Sequence, residues 1–215
     1  MGTDLRRKPA RTLRVLDALG ADIVTLQEAD KRLPPRPAAL PAHLLAEHGW
    51  QVAPLGGAGS LGWHGNAIIY RSTVGIQSVA RLPLPGLEPR GAVLAEFETE
   101  LGPLRIVGAH LGLLAQWRRR QVHALMRQSM PRDPTPTIWA GDFNDWDRGP
   151  LLDRAAPAMA FLPPLASFPA PAPVAPLDRI ALSRDLRAMA HGVHQSRPAR
   201  TASDHLALWA DIVRS

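Results

Sequence analysis

The chain has 215 residues, enough for one domain with a sizeable hydrophobic core, and no window approaches eighteen consecutive apolar residues, so no membrane span is expected. It carries 25 Lys and Arg against 19 Asp and Glu, a net charge of +6 that permits anionic partners without selecting one, since almost every cation is an arginine and only Lys8 and Lys31 are lysines. Cysteine is absent, which excludes disulfides and thiolate metal sites and leaves oxygen and imidazole donors, the kind that suit Mg²⁺ or Mn²⁺.

The N-terminus through Lys8 is polar and basic but lacks the apolar stretch of a secretory signal, so a cytoplasmic location is expected. Pro9–Leu19 is predicted as a helix, with Leu13, Leu16 and Leu19 at helical spacing and Gly20 as its stop. A buried strand over Ala21–Leu26 leads to Glu28, and Pro37–Glu47 is predicted as a second helix. Strands follow at Trp50–Leu55, Asn66–Arg71, Val74–Leu82, Gly91–Thr99 and Leu104–Ala109, the last two joined through Gly102 by hairpin chemistry. Ala115–Met130 is the longest predicted helix and ends before Pro131. Thr137–Ala140 is a strand, Gly149–Ala156 a short helix, and the Pro- and Ala-rich segment from Phe161 to Pro176 an ordered loop. Leu177–Ser183 and Leu206–Val213 close the chain as strands. Hairpins mixed with helical crossovers point to an α+β protein in which two mixed sheets pack face to face with helices outside.

Four polar groups punctuate these apolar runs. Leu26-Gln27-Glu28, Ala109-His110-Leu111 and Gly141-Asp142-Phe143-Asn144 each sit where a strand stops, and Ser203-Asp204-His205 sits where one starts. Side chains at the ends of buried strands can converge on one rim of a sheet, where sites are built. In an extended segment, Asp142 and Asn144 would project to one side and Phe143 to the other, into the core. A carboxylate there can orient or deprotonate an attacking water, and an amide beside it can donate to a phosphoryl oxygen. Each piece also has an ordinary reading: Gly-Asp-Phe-Asn-Asp as a turn, His110 as a core histidine, Glu28 as a surface charge, Asp178-Arg179 as an ion pair. Their joint occurrence in this order is not ordinary.

Together with His64-Gly65-Asn66-Ala67, Glu88-Pro89-Arg90-Gly91, Arg118 to Gln121 and Leu177-Asp178-Arg179-Ile180, these motifs resemble the endonuclease/exonuclease/phosphatase superfamily, the DNase I-like metal-dependent phosphoesterases. The resemblance runs from about residue 10 to the end of the chain and is nearest to small stand-alone bacterial members. It implies one domain over residues 1–215, a four-layer α/β/β/α sandwich, and Mg²⁺-dependent hydrolysis of phosphate esters, with Mn²⁺ as a possible substitute. Glu28 and Asp204 would hold the metal. Asp142 would orient or deprotonate water, and Asn144 and His110 would donate to phosphoryl oxygens. His205 would stabilise growing charge or act as base, with Asp178 fixing its tautomer; Asn66 and Arg90 would lie on the substrate side. Small phosphodiesters, phospholipid headgroups and nucleic acid all remain open as substrates for an enzyme of this kind, which is expected to be a monomer; short loops and few candidate exposed aromatics (Trp63, Trp117, Trp146) weigh against a duplex-embracing nuclease.

One element of the pattern is missing. The family has a strand carrying a metal-binding Asn upstream of the helix at Pro9, and this chain has no Asn before Asn66. The expectation is a start placed too far downstream, with the 215-residue form less stable than a longer one, weak in Mg²⁺ binding and low in activity. If the strand is truly lost, a non-catalytic phosphate-binding module is the alternative. A dinuclear metallophosphatase is disfavoured, because its Asp-x-His and Gly-Asn-His strings do not occur.

Overall fold

The structure, a computed structural model, describes residues 2–4, 8–30, 37–57, 59–88, 90–130, 135–146 and 150–215. In chain order the elements are α1 (Pro9–Leu19), β1 (Ile23–Leu26), α2 (Ala42–Glu47), β2 (Trp50–Val52), β3 (Ala67–Arg71), β4 (Gly75–Pro83), β5 (Gly91–Thr99) and β6 (Gly102–His110). There follow α3 (Ala115–Ser129), β7 (Thr137–Asp142), α4 (Pro150–Ala155), β8 (Met159–Phe161), β9 (Asp178–Ser183), β10 (Leu186–Val193), α5 (Ala199–Ala202) and β11 (Leu208–Arg214).

Alternation along the strands builds the layers. On β5, Ala92 and Leu94 face one core while Val93, Ala95 and Phe97 face another. The first core lies under α3 and α4, where Val122, Leu125 and Leu152 meet Val107 and Trp139. The second lies between sheets, where Phe97 and Ile106 meet Ile68 and Tyr70 of β3. The opposite face of β3, with Ala67 and Ile69, packs under Leu13 and Leu16 of α1 and Leu45 of α2. Three apolar interfaces separate four layers: helices, sheet, sheet, helices. The expected α+β sandwich is the fold observed.

The larger sheet has six strands in the order β4-β5-β6-β7-β9-β8, antiparallel except for the parallel pair β6–β7. The crossover between those two is α3, as a parallel pair requires. The second sheet layer comes in two antiparallel pieces, β1-β3-β2 and β10-β11. Both face the larger sheet, with Ile23 of β1 and Ile212 of β11 packed against the same inter-sheet core.

Several boundaries differ from expectation. The second helix starts at Ala42, because Leu40 precedes Pro41 and is biased away from helical backbone; upstream of it, Ala38 instead bridges Asp30. The strand from Trp50 stops at Val52. The expected helix start at Gly149 and the stop at Pro131 lie outside the described residues. Neither β8 nor β10 is among the expected strands. β10 (LRAMAHGV) is half-exposed and poor in β-branched residues, so it is held by its ladder to β11 and not by a buried face.

Candidate active site

The sheet register gathers the first residues. His110 on β6 pairs with Asp142 on β7, and Asp142 pairs with Asp178 on β9, so the three stand in one row across three strands. His110 Nε2 lies 3.1 Å from Asp142 Oδ2. Arg90, just before β5, brings Nη1 to 2.6 Å from His110 Nε2 and donates from Nε to Glu88 at 2.8 Å. A chain of polar contacts from Glu88 through Arg90 and His110 thus ends at Asp142. Burial alone would push the Asp142 carboxyl up, but the hydrogen bond and charge of His110, the charge of His205 and the Asn144 N–H hold it below the ordinary aspartate value.

The chain does not stay extended after Asp142. Asn144 has φ 49°, and its backbone N–H donates to Asp142 Oδ1 at 2.8 Å, an Asx-type turn. Its Nδ2 donates to the Leu111 carbonyl at 2.8 Å. Asp142 and Asn144 are therefore related by a turn and not by strand alternation, while Phe143 is fully buried in the core as expected. Gly141 is required here. With φ 142°, any Cβ would lie 2.1 Å from the Ala109 carbonyl oxygen and 2.9 Å from Gln27 Nε2. The Gln27 side chain thus reaches the backbone beside Asp142, and it brings the end of β1, with Glu28, to the same rim.

His205 arrives from the other side. Its Nδ1 lies 2.8 Å from Asp178 Oδ2, which also accepts a hydrogen bond from the Ser167 hydroxyl. The Phe168 ring packs on the imidazole at 4.9 Å between centroids. Burial pulls the His205 pKa down, but the hydrogen bond and charge of Asp178, with Asp142 and Asp204 nearby, outweigh it and raise the value to about 9. Asp204 itself is exposed, its backbone carbonyl accepting from Ala170 N–H at 2.7 Å. Beneath both halves, the buried Arg179 pairs with the buried Asp145 and stacks over Phe161. That pair staples the β7–α4 turn to β9.

Glu28 is exposed at φ 52°, a left-handed conformation that glutamate rarely adopts and that persists only where the surroundings impose it. It is flanked by a tight turn. Trp63 and Asn66 exchange backbone hydrogen bonds of 2.8 and 2.9 Å around His64 and Gly65, both at positive φ, and Gly65 packs against the Glu28 backbone. Asn66 is fully buried. Its Nδ2 donates to the Gly91 carbonyl at 2.9 Å and its Oδ1 is a buried oxygen with no hydrogen-bond donor among the described residues. It supports the rim from within, in place of the expected substrate-facing position. Of the tryptophans expected to be exposed, only Trp146 is; Trp63 and Trp117 are half-buried.

Among the described residues no three His, Asp or Glu side chains are grouped to cage a cation. Mg²⁺ needs no such cage, because it keeps several waters and takes one or two carboxylates. Glu28 and Asp204 are exposed carboxylates, oxygen donors of the kind such an ion takes. Sequence reasoning missed Ser167, Phe168, Gln27 and the Arg179–Asp145 pair. Nothing in the Pro- and Ala-rich loop signals that its Ser167 would bond Asp178, the carboxylate partner of His205.

The model of the endonuclease/exonuclease/phosphatase family matches residues 2–205, and the chain belongs to that family. Among curated proteins it is 30% identical over 162 residues to the uncharacterized protein YbhP of Escherichia coli K12, a stretch covering 70% of this chain. The match spans 63% of YbhP, less than two thirds of that relative's length. Among solved structures, the mannosyl-6-phosphatase Bt3783 of Bacteroides thetaiotaomicron shares the fold with a TM-score of 0.73 at 18% identity, over 96% of this chain and 90% of that one. TDP2 of D. rerio, solved with a single-strand DNA product, superposes with a TM-score of 0.71 at 17% identity, over 95% and 91%.

Proposed function

We propose that the protein is a phosphodiesterase that hydrolyses phosphate esters by in-line attack of water, with residues 1–215 acting as one catalytic domain. The observation that supports this best is the placement of two imidazoles, each against its own carboxylate, with the carboxylates side by side on adjoining strands: His110 with Asp142 at 3.1 Å, His205 with Asp178 at 2.8 Å.

In this reading Glu28 and Asp204 hold a divalent ion, Mg²⁺ with Mn²⁺ as substitute, which when bound polarises a phosphoryl oxygen. Asp142 orients the attacking water and takes its proton. His110, backed by Arg90, donates to a phosphoryl oxygen, and so does the second N–H of Asn144, whose first is held by Leu111. Asp178 fixes His205 through Nδ1 and leaves Nε2 to face the phosphate, where it offsets negative charge as the bond to the leaving oxygen breaks. Asn66 and Gln27 position this set.

The test is hydrolysis of bis(p-nitrophenyl) phosphate with Mg²⁺ or Mn²⁺. His205→Ala and Asp142→Ala are each expected to lower the rate by about 100- to 10,000-fold, the usual worth of a positioned acid or base. Chelation of the metal should abolish activity. Either variant keeping the wild-type rate sinks the assignment.

A further inference from the structure

The edge of the six-stranded sheet that carries the two pairs also sends out four loops. Register sets Ala92 beside Ala109, His110 beside Asp142 and Asp142 beside Asp178, so the β4–β5, β6–α3, β7–α4 and β8–β9 connections all leave from that edge. Six large apolar side chains stand exposed among the described residues. Five of them are on these loops: Leu87 at 80%, Leu113 at 56%, Leu114 at 53%, Trp146 at 54% and Val174 at 69%. The sixth, Met189, lies on β10. Scattered exposed apolar residues are ordinary on any surface, but their confinement to one rim is not.

The tips are held out on a fixed frame. Gly112 N–H donates to Gln121 Oε1 at 2.8 Å, and Gln121 Nε2 donates to the Pro85 carbonyl at 2.9 Å, so one buried glutamine ties the loop of Leu87 to that of Leu113 and Leu114. The buried Arg118 donates to the Leu113 carbonyl at 2.5 Å. Val174 N–H donates to the Phe168 carbonyl at 2.8 Å, and the Phe168 ring lies 6.2 Å from Trp146. Arg119 and Arg120, exposed in the second turn of α3, put positive charge five and six residues after Leu114.

We propose that this rim seats the protein on an anionic lipid surface, and that the ester it cleaves is the phosphodiester of a phospholipid headgroup presented there. The substrate half rests on the phosphodiesterase reading above. Aliphatic tips backed by arginines match interfacial attachment, in which apolar side chains enter the headgroup–acyl boundary and cations meet anionic lipid. A single-stranded nucleic acid would call for successive aromatic stacking platforms along a basic track, and Trp146 is the one large aromatic exposed among the described residues.

The full chain is sedimented with vesicles of phosphatidylglycerol and phosphatidylcholine, and with vesicles of phosphatidylcholine alone. Loss of intact phosphatidylglycerol and hydrolysis of bis(p-nitrophenyl) phosphate are followed with Mg²⁺. The wild type should bind the mixed vesicles selectively. Binding and phosphatidylglycerol loss should fall at least tenfold in the triple variant Leu87→Ser, Leu113→Ser, Leu114→Ser and in the double variant Arg119→Glu, Arg120→Glu. Met189→Ser should bind like wild type, and all variants should cleave the soluble diester equally. The docking proposal is overturned if the wild type stays in the supernatant, if Met189→Ser loses as much as the triple variant, or if the triple variant loses affinity for single-stranded DNA and keeps it for vesicles. Vesicles bound and soluble diester cleaved, with phosphatidylglycerol intact, overturns the substrate half. Vesicle binding with neither ester cleaved sinks the phosphodiesterase reading and leaves the docking face standing.

Discussion

The two halves of the site are held in place by different forces. His110 and Asp142 end parallel strands whose ladder fixes every backbone group around them, and both are buried. His205 follows a four-residue helix, and side chains set its position: Asp178 at Nδ1, Phe168 on the ring face and Ser167 on the far side of the carboxylate. A histidine placed by sheet register keeps its position when neighbouring side chains are trimmed. A histidine placed by loop contacts depends on each of them.

That contrast can be broken experimentally. The largest effect is expected at the staple shared by both halves. Arg179→Met removes the buried ion pair with Asp145 and should lower stability, read as a lower midpoint in urea denaturation. The double variant Arg179→Met, Asp145→Leu removes both charges and should recover much of that loss.

Asp178→Asn keeps the volume but loses the charge that orients His205. It should lower kcat on a soluble diester about 10- to 100-fold with KM little changed, the usual effect of losing a carboxylate behind a working imidazole. Ser167→Ala, which removes one of the two bonds to the same oxygen, should do the same more mildly. Equal effects of Ser167→Ala and Asp178→Asn would contradict the picture of His205 as the side-chain-held half.

On the sheet-held half, Gly141→Ala forces a methyl against the Ala109 carbonyl and should destabilise by about 1–3 kcal/mol, visible as a lower Tm, together with reduced activity because Asp142 follows directly. The smallest effect lies away from the site. Hydrogen bonds from Ser78 and Arg105 hold the Glu96 carboxyl below its ordinary value of 4.5. A depressed folded pKa stabilises the fold above the ordinary value, and that contribution fades as pH falls through and below it. Wild type should therefore lose part of its Tm below pH ~4.5 that Glu96→Gln lacks at every pH, a difference under about 1 kcal/mol for a pair this near the surface.

Most of the strands, though not β8 or β10, and the polar residues that end them were legible in the sequence, and so were the packing of two sheets and the burial of Phe143. The turn at Asn144 was not, because Gly-Asp-Phe-Asn fits either an extended segment or a bend until the Ala109 carbonyl is seen to exclude a side chain at Gly141. Nor was the placement of Asn66, which the resemblance put on the substrate side and whose amide bonds the buried Gly91 carbonyl. The resemblance assigned roles to single residues; it carried no sign of the bond from Ser167 to Asp178, made across a loop of prolines and alanines.

The amino-acid sequence by itself determined which runs of chain bury one face and where each run ends in a carboxylate, amide or imidazole, since period-2 alternation and strand-ending residues are local properties. Only the tertiary structure decided which of those ends meet. Asp178 and His205 are 27 residues apart and Arg179 and Asp145 are 34 apart. Register between strands and packing between layers, which no local pattern encodes, brought each pair within bonding distance.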